Sequence, residues 1–191
     1  MTRAYIRIAP PTDGVNDVSL DTSRPASAED LSAIGWKISA LNTDLQGQEQ
    51  FKALAKSQGF PQPEGVRLDL GLVDDVEPFM ELANKVMFKN IILTNAAMVL
   101  VLSGTYFVDV EDPINTRWFR LVLTPGTVLF VPAGTMYRCG INEADIKTIS
   151  TIVTLKVDDL SVDNLNDYYL CADKDTEKHS SRRAYLESLG I

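Results

Sequence analysis

Histidine is almost absent from this chain. Of 191 residues only His179 carries an imidazole, in the hydrophilic stretch "DKDTEKHSSRR". A site that needs two or more imidazoles from one chain is therefore excluded, and with it most zinc, iron, nickel and copper enzymes. Cysteine is nearly as scarce. Cys139 and Cys171 are the only two, too few for a disulfide framework, which points to a reducing compartment. Positive charge is in deficit: 18 Lys and Arg against 26 Asp and Glu leave a net charge of −8. Such a chain offers no basic face to nucleic acid or to an anionic membrane. Long apolar runs are missing too. "IILTNAAMVLVL" is broken by Thr94 and Asn95 and falls short of the ~20 residues that cross a bilayer. The N-terminal "MTRAYIRIAPPTDG" has no apolar core of the kind a secretory leader needs. These absences set the expectation of a cytoplasmic protein with no nucleic-acid partner and no membrane insertion.

What is present reads as one domain over residues 1–191. "RAYIRI" suits a short strand, and the turn-rich segment after it suits a loop. In "SAEDLSAIG", Ser27 and Asp30 have the spacing of a capping box, so a helix is expected to start there. A second helix is expected from about Leu45 to Ala55, and a third over "VEPFMELANKVMFKN". Asp74, Asp75, Glu77 and Glu81 cluster near the start of the third, where carboxylates suit the helix dipole. This helical part spans about residues 27–90. From Ile91 the texture changes to short β-prone runs punctuated by Gly, Pro, Asn and Asp, over about 91–157. That pattern predicts an antiparallel sandwich or barrel. A tail over about 158–191 returns to helical propensity.

Two spacings in the β region carry more. Gly126, Pro132, Gly134 and Tyr137 follow the second motif of the cupin barrels, G-x5-P-x-G-x2-H, with tyrosine in the histidine's place. Anchored on Gly104, the first cupin motif, H-x-H-x3-E-x6-G, sets its two histidines on Ile91 and Leu93 and its glutamate on Ala97. More widely, the chain resembles the acireductone dioxygenase family. The segments "RPASAEDLSAIGWKI", "QFKALAKSQGF", "LSGTYFVDVED", "RWFRLVLTPGTVLFVPAGTMYR" and "HSSRRAYLESL" match corresponding segments of that family in order. The resemblance implies a mainly β fold: a cupin jelly-roll barrel with N-terminal helices and a C-terminal helical tail. It also implies where the family's iron or nickel ligands would fall, namely Ile91, Leu93, Ala97 and Tyr137. None of the first three is a ligand type. The family's substrate-facing arginine falls on Val99.

Positions 91, 93, 97, 99 and 101 share one parity, which would put them on one face of one strand. They read Ile, Leu, Ala, Val, Val. A buried carboxylate without its metal would be costly, whereas each large aliphatic side chain buried there adds on the order of 1.5–3 kcal/mol. A former metal site converted into packed core is the expectation, with Tyr137 as filler. Val99, Tyr137 and Arg138 remain candidate contacts if a cavity survives. Ile92, Ala96, Met98, Leu100 and Leu102 make the opposite parity apolar as well, so that face should be covered by the chain's own helices or by another subunit. Three functions follow as expectations. The first is an inactive, metal-free and cofactor-free scaffold subunit that contacts other proteins in a larger assembly, such as a cytoskeletal one. The second is a metal-independent small-molecule-binding cupin. The third is an active acireductone dioxygenase.

Overall fold

The computed structural model describes residues 3–12, 15–72 and 87–191. Most of the helix expected over residues 76–90, and the whole acidic cluster at 74–81, lie outside the described residues. Two antiparallel sheets face each other. The first holds six strands: β1 (Arg3–Ile6), β4 (Ile91–Leu93), β6 (Tyr106–Asp112), β7 (Arg117–Leu123), β9 (Met136–Gly140) and β11 (Tyr169–Cys171), in the order β1-β7-β6-β9-β4-β11. The second holds five: β2 (Lys37–Ala40), β3 (Val66–Asp69), β5 (Ala97–Ser103), β8 (Thr127–Val131) and β10 (Ser150–Leu155), in the order β2-β8-β5-β10-β3.

The expected β barrel with N-terminal helices and a helical tail is thus what forms, with two corrections. The part read as helical also supplies strands β2 and β3, which close the two edges of the five-stranded sheet. Each has four residues, too few for period-two alternation to stand out. A second correction concerns "IILTNAAMVLVL". It is not one strand: residues 94–96 carry the chain from β4 in one sheet to β5 in the other. Both halves still turn the same parity inward, so Leu93, Ala97 and Val101 share the inter-sheet core with Val108, Val110 and Leu121.

Helix α1 (Ala28–Ala33) begins at the expected capping box: the Ser27 hydroxyl accepts from the Asp30 amide, and the Asp30 carboxylate accepts from the Ser27 amide at 2.8 Å. Such a cap stabilises a helix by about 1 kcal/mol. Helix α2 (Leu45–Ser57) lies on the outer face of the five-stranded sheet. Its Phe51 and Ala55, with Phe60 beyond its end, cover Met98, Leu100, Val128 and Ile152. The second apolar parity of β5 is therefore packed under the chain's own helix.

The C-terminal helix α3 (Ser180–Ser188) is capped by His179, whose ring accepts from the Ser181 amide. It docks through Tyr185, whose hydroxyl donates to the Ile34 carbonyl at 3.0 Å, and through buried Arg182, paired with Glu111 at 2.6 Å. The turn between β8 and β9 sits directly beneath it. Gly134 has φ +79°, and a Cβ there would lie 2.1 Å from the Ser181 carbonyl oxygen. Gly134→Ala thus combines left-handed backbone strain with overlap against backbone that cannot rotate away. It is expected to cost about 2–3 kcal/mol, the upper part of the overpacking range. Urea denaturation of the variant checks this; a midpoint equal to that of the parent would mean that α3 is free to shift.

Candidate functional site

Between the two sheets lies a cavity of about 240 Å³. The barrel is therefore not plugged solid with hydrocarbon, as its inward residues led one to expect. From the six-stranded sheet, Ile91, Leu93, Val108 and Tyr137 face the cavity, and from the five-stranded sheet Ala97, Val99, Leu129 and Val153. Register brings the key positions together: Ile91 and Tyr137 are directly opposed across β4 and β9. The four positions that the cupin spacing singles out do converge on one chamber, and Val99 lines it beside them.

The polar groups of the chamber are neutral. Trp36, Tyr106, Cys139, Thr151 and Tyr169 join Tyr137 in its wall, and among the described residues no charged side chain and no histidine lines it. The Trp36 indole donates to the Thr135 hydroxyl at 2.9 Å and packs edge-on to the Tyr137 ring, centroids 6.1 Å apart. Removal from bulk water pushes the hydroxyls of Tyr106, Tyr137 and Tyr169 well above the ordinary phenol range. The same burial pushes the Cys139 thiol up to about 12. Tyr137 and Tyr169 also share a side-chain hydrogen bond. All of these groups stay protonated at neutral pH. Tyr137, Cys139 and Tyr169 nonetheless retain partial surface accessibility, and all three line the chamber.

Arg138 is not a chamber contact. It neighbours Tyr137 on β9 and, by the alternation of a strand, points to the other side of the sheet. There it meets Asp109, its cross-strand partner, at 3.3 Å. Arg120, the partner of Asp109 on the other side, grips the same carboxylate through two bonds of 2.7 and 2.6 Å. Arg7 adds a third guanidinium at 3.1 Å and reaches Asp17 at 2.7 Å. Carbonyls of the N-terminal segment, those of Thr12 and Ser19, accept from Arg138 and Arg120. Burial would raise the Asp17 carboxyl, but hydrogen bonds from Ser19 and Arg7 outweigh it and hold the group well below the usual carboxylate range. This ionic cluster clamps the N-terminal segment to the outside of the barrel.

The chamber's donor set does not suit a transition metal. Positions 91, 93 and 97 present hydrocarbon, and one phenol at 137 cannot hold an iron or nickel ion alone. Among the described residues no three His, Cys, Asp or Glu side chains come together as a metal-binding group. The turn positions of the two motifs are kept: Gly104, Gly126 and Gly134 all have positive φ, and Pro132 follows β8. Trp36, Tyr106 and Tyr169 belong to no motif. Only the alternation of β6, which puts Tyr106 in register with Val108 and Val110, could have marked one of them.

No family model matches the chain. Individual relatives do. The chain is 22% identical over 183 residues to the acireductone dioxygenase of Ixodes scapularis, covering 93% of this chain and 90% of that one. It is 26% identical over 125 residues to acireductone dioxygenase 1 of Coprinopsis cinerea, covering 64% and 67%. Among solved structures, the acireductone dioxygenase from Bacillus anthracis with a cadmium ion in its active centre superposes with a TM-score of 0.56 at 11% identity, over 81% of this chain and 92% of that one. These findings overturn the expectation of an inactive scaffold subunit: the relatives are named as enzymes, and nothing in the comparisons points to a structural role. No helix among the described residues is long and apolar enough to cross a membrane. Sequence likeness across nearly the whole chain, a shared two-sheet architecture and the retained turn motif agree: the chain is similar to the acireductone dioxygenases and shares their cupin fold, and it carries Ile91, Leu93, Ala97 and Tyr137 at the positions where the cupin spacing sets metal ligands.

Proposed function

We propose that the chamber between the sheets is a small-molecule site, and that this protein works through it rather than through its outer surface. The observation that carries the reading is the cavity of about 240 Å³. Close packing leaves few voids larger than a water molecule in a domain core. The volume lies just below the usual 300–1,000 Å³ of ligand pockets, roughly one small molecule's worth. Its wall is mostly hydrocarbon with a few hydroxyls, the composition such sites share. Cys139 is a free thiol, which suits a reducing, cytoplasmic setting.

Small-molecule extraction from natively purified protein tests this. A compound is expected to co-purify with the parent and to be lost from Val99→Phe, which fills the chamber from β5. Equal recovery from both, or none from either, would overturn the reading. A second reading, acireductone dioxygenase turnover itself, is favoured by the names of the relatives. It requires metal donors other than residues 91, 93, 97 and 137. Oxygen uptake with acireductone in the presence of iron or nickel decides it: turnover establishes the activity, and its absence with either metal removes it.

A further inference from the structure

Resting on the chamber as a small-molecule site, we infer that its ligand is an uncharged, largely hydrocarbon molecule carrying one hydrogen-bond acceptor. Three observations carry this. Size is the first. An apolar cavity of about 150 Å³ accepts benzene, so about 240 Å³ takes a substituted ring or a chain of similar bulk.

Charge is the second. No cation or anion lines the cavity among the described residues. The nearby guanidiniums are committed elsewhere: Arg7, Arg120 and Arg138 to Asp109 on the outer face, and Arg182 to Glu111 and Glu177 under α3. An anion in the chamber would meet no counter-charge among the described residues, and a buried unpaired charge is strongly disfavoured.

The third is the placement of donors. Tyr106, Tyr137 and Tyr169 gather with Cys139 at one part of the wall, whereas Leu68, Val99, Leu129 and Val153 supply hydrocarbon. Burial holds these phenols and the thiol protonated. They can therefore offer a proton to a carbonyl or ether oxygen, and none of them becomes an anion that would call for a cationic partner.

Three probes of equal non-hydrogen atom count separate these terms: acetophenone, isopropylbenzene and benzoate, titrated into the parent protein by calorimetry at neutral pH. Acetophenone is expected to bind most tightly and isopropylbenzene about fivefold more weakly, the worth of one modest hydrogen bond. Benzoate is expected at least a hundredfold weaker. In Tyr137→Phe/Tyr169→Phe, which keeps the ring shapes, acetophenone should lose its advantage while isopropylbenzene binds as before. Benzoate binding as well as acetophenone would overturn the inference on charge and leave the chamber standing as a site. Isopropylbenzene equal to acetophenone in the parent would overturn the acceptor. Failure of all three in a protein that still releases a native compound on extraction would overturn the ligand class alone, whereas failure of both experiments would sink the site itself.

Discussion

Asp109→Asn is expected to destabilise the protein by about 3–5 kcal/mol, the cost of removing one partner from a buried ionic cluster. For a chain of this length each kcal/mol moves the melting temperature by about 2–4 °C, so a drop of about 6–20 °C should appear on thermal denaturation. The size follows from geometry. Asp109 is 2% exposed and is the shared anion of Arg7, Arg120 and Arg138. Arg120 and Arg138 are themselves 2% exposed, so water cannot replace the lost charge. Asparagine keeps the shape and one acceptor oxygen, which isolates the charge from the packing. Asp17 would still face Arg7, but it reaches Arg120 only at 3.8 Å. An exposed pair serves as the control. Lys178 and Asp175 stand 2.6 Å apart with side chains 78% and 55% exposed, and Lys178→Ala should change stability by no more than about 0.5 kcal/mol. A shift below 2 °C for Asp109→Asn would mean that the guanidiniums relax into solvent and that the N-terminal segment is not clamped.

The same cluster marks the boundary of what could be read from the sequence. Alternation along β6 and β9 dictates that Tyr137 and Cys139 share a face and that Arg138 takes the other. The rule was sufficient, and grouping Arg138 with the chamber set it aside. Arg120, Arg138 and Asp109 come from β7, β9 and β6, and Arg7 from just beyond the end of β1; no local pattern announces their meeting. The barrel itself was legible. Its strands are bounded by turn residues, and Gly104, Gly126 and Gly134 sit where the chain needs positive φ. The capping box at Ser27 was legible for the same reason, being a contact over three residues. Strands β2 and β3 were not, because four residues at a sheet edge show no period. Nor was the chamber. Residue types at 91, 93, 97 and 99 fix the chemistry of its wall, but its volume depends on how far apart the two sheets stand, which no short stretch encodes. Aliphatic side chains on inward positions were read as a plug, and they prove to be a lining.

If that lining occupies the positions where the family's metal donors would fall, restoring the donors should restore an ion. The variant combining Ile91→His, Leu93→His, Ala97→Glu and Tyr137→His tests whether the backbone still holds the necessary geometry. Without metal it is expected to be less stable than the parent by several kcal/mol, because a carboxylate and three imidazoles replace hydrocarbon in a chamber that no charged side chain lines among the described residues. With nickel at about 1,000 times its dissociation constant, binding to the folded state alone should return about 4 kcal/mol, a rise of about 8–16 °C in melting temperature. The parent under the same nickel should shift by less than 2 °C if its chamber is the only place an ion could enter. Two contrary results are informative. A parent that gains as much as the variant would place metal donors elsewhere in the chain and revive the dioxygenase reading. A variant that folds but ignores nickel would mean that the sheets have moved apart along with the loss of ligands, since donor positions must agree to within about 0.5 Å to close a coordination shell. Ile91 and Tyr137 directly opposed, Leu93 two residues further along β4 and Ala97 across the cavity favour recovery, because the four positions still converge on one chamber.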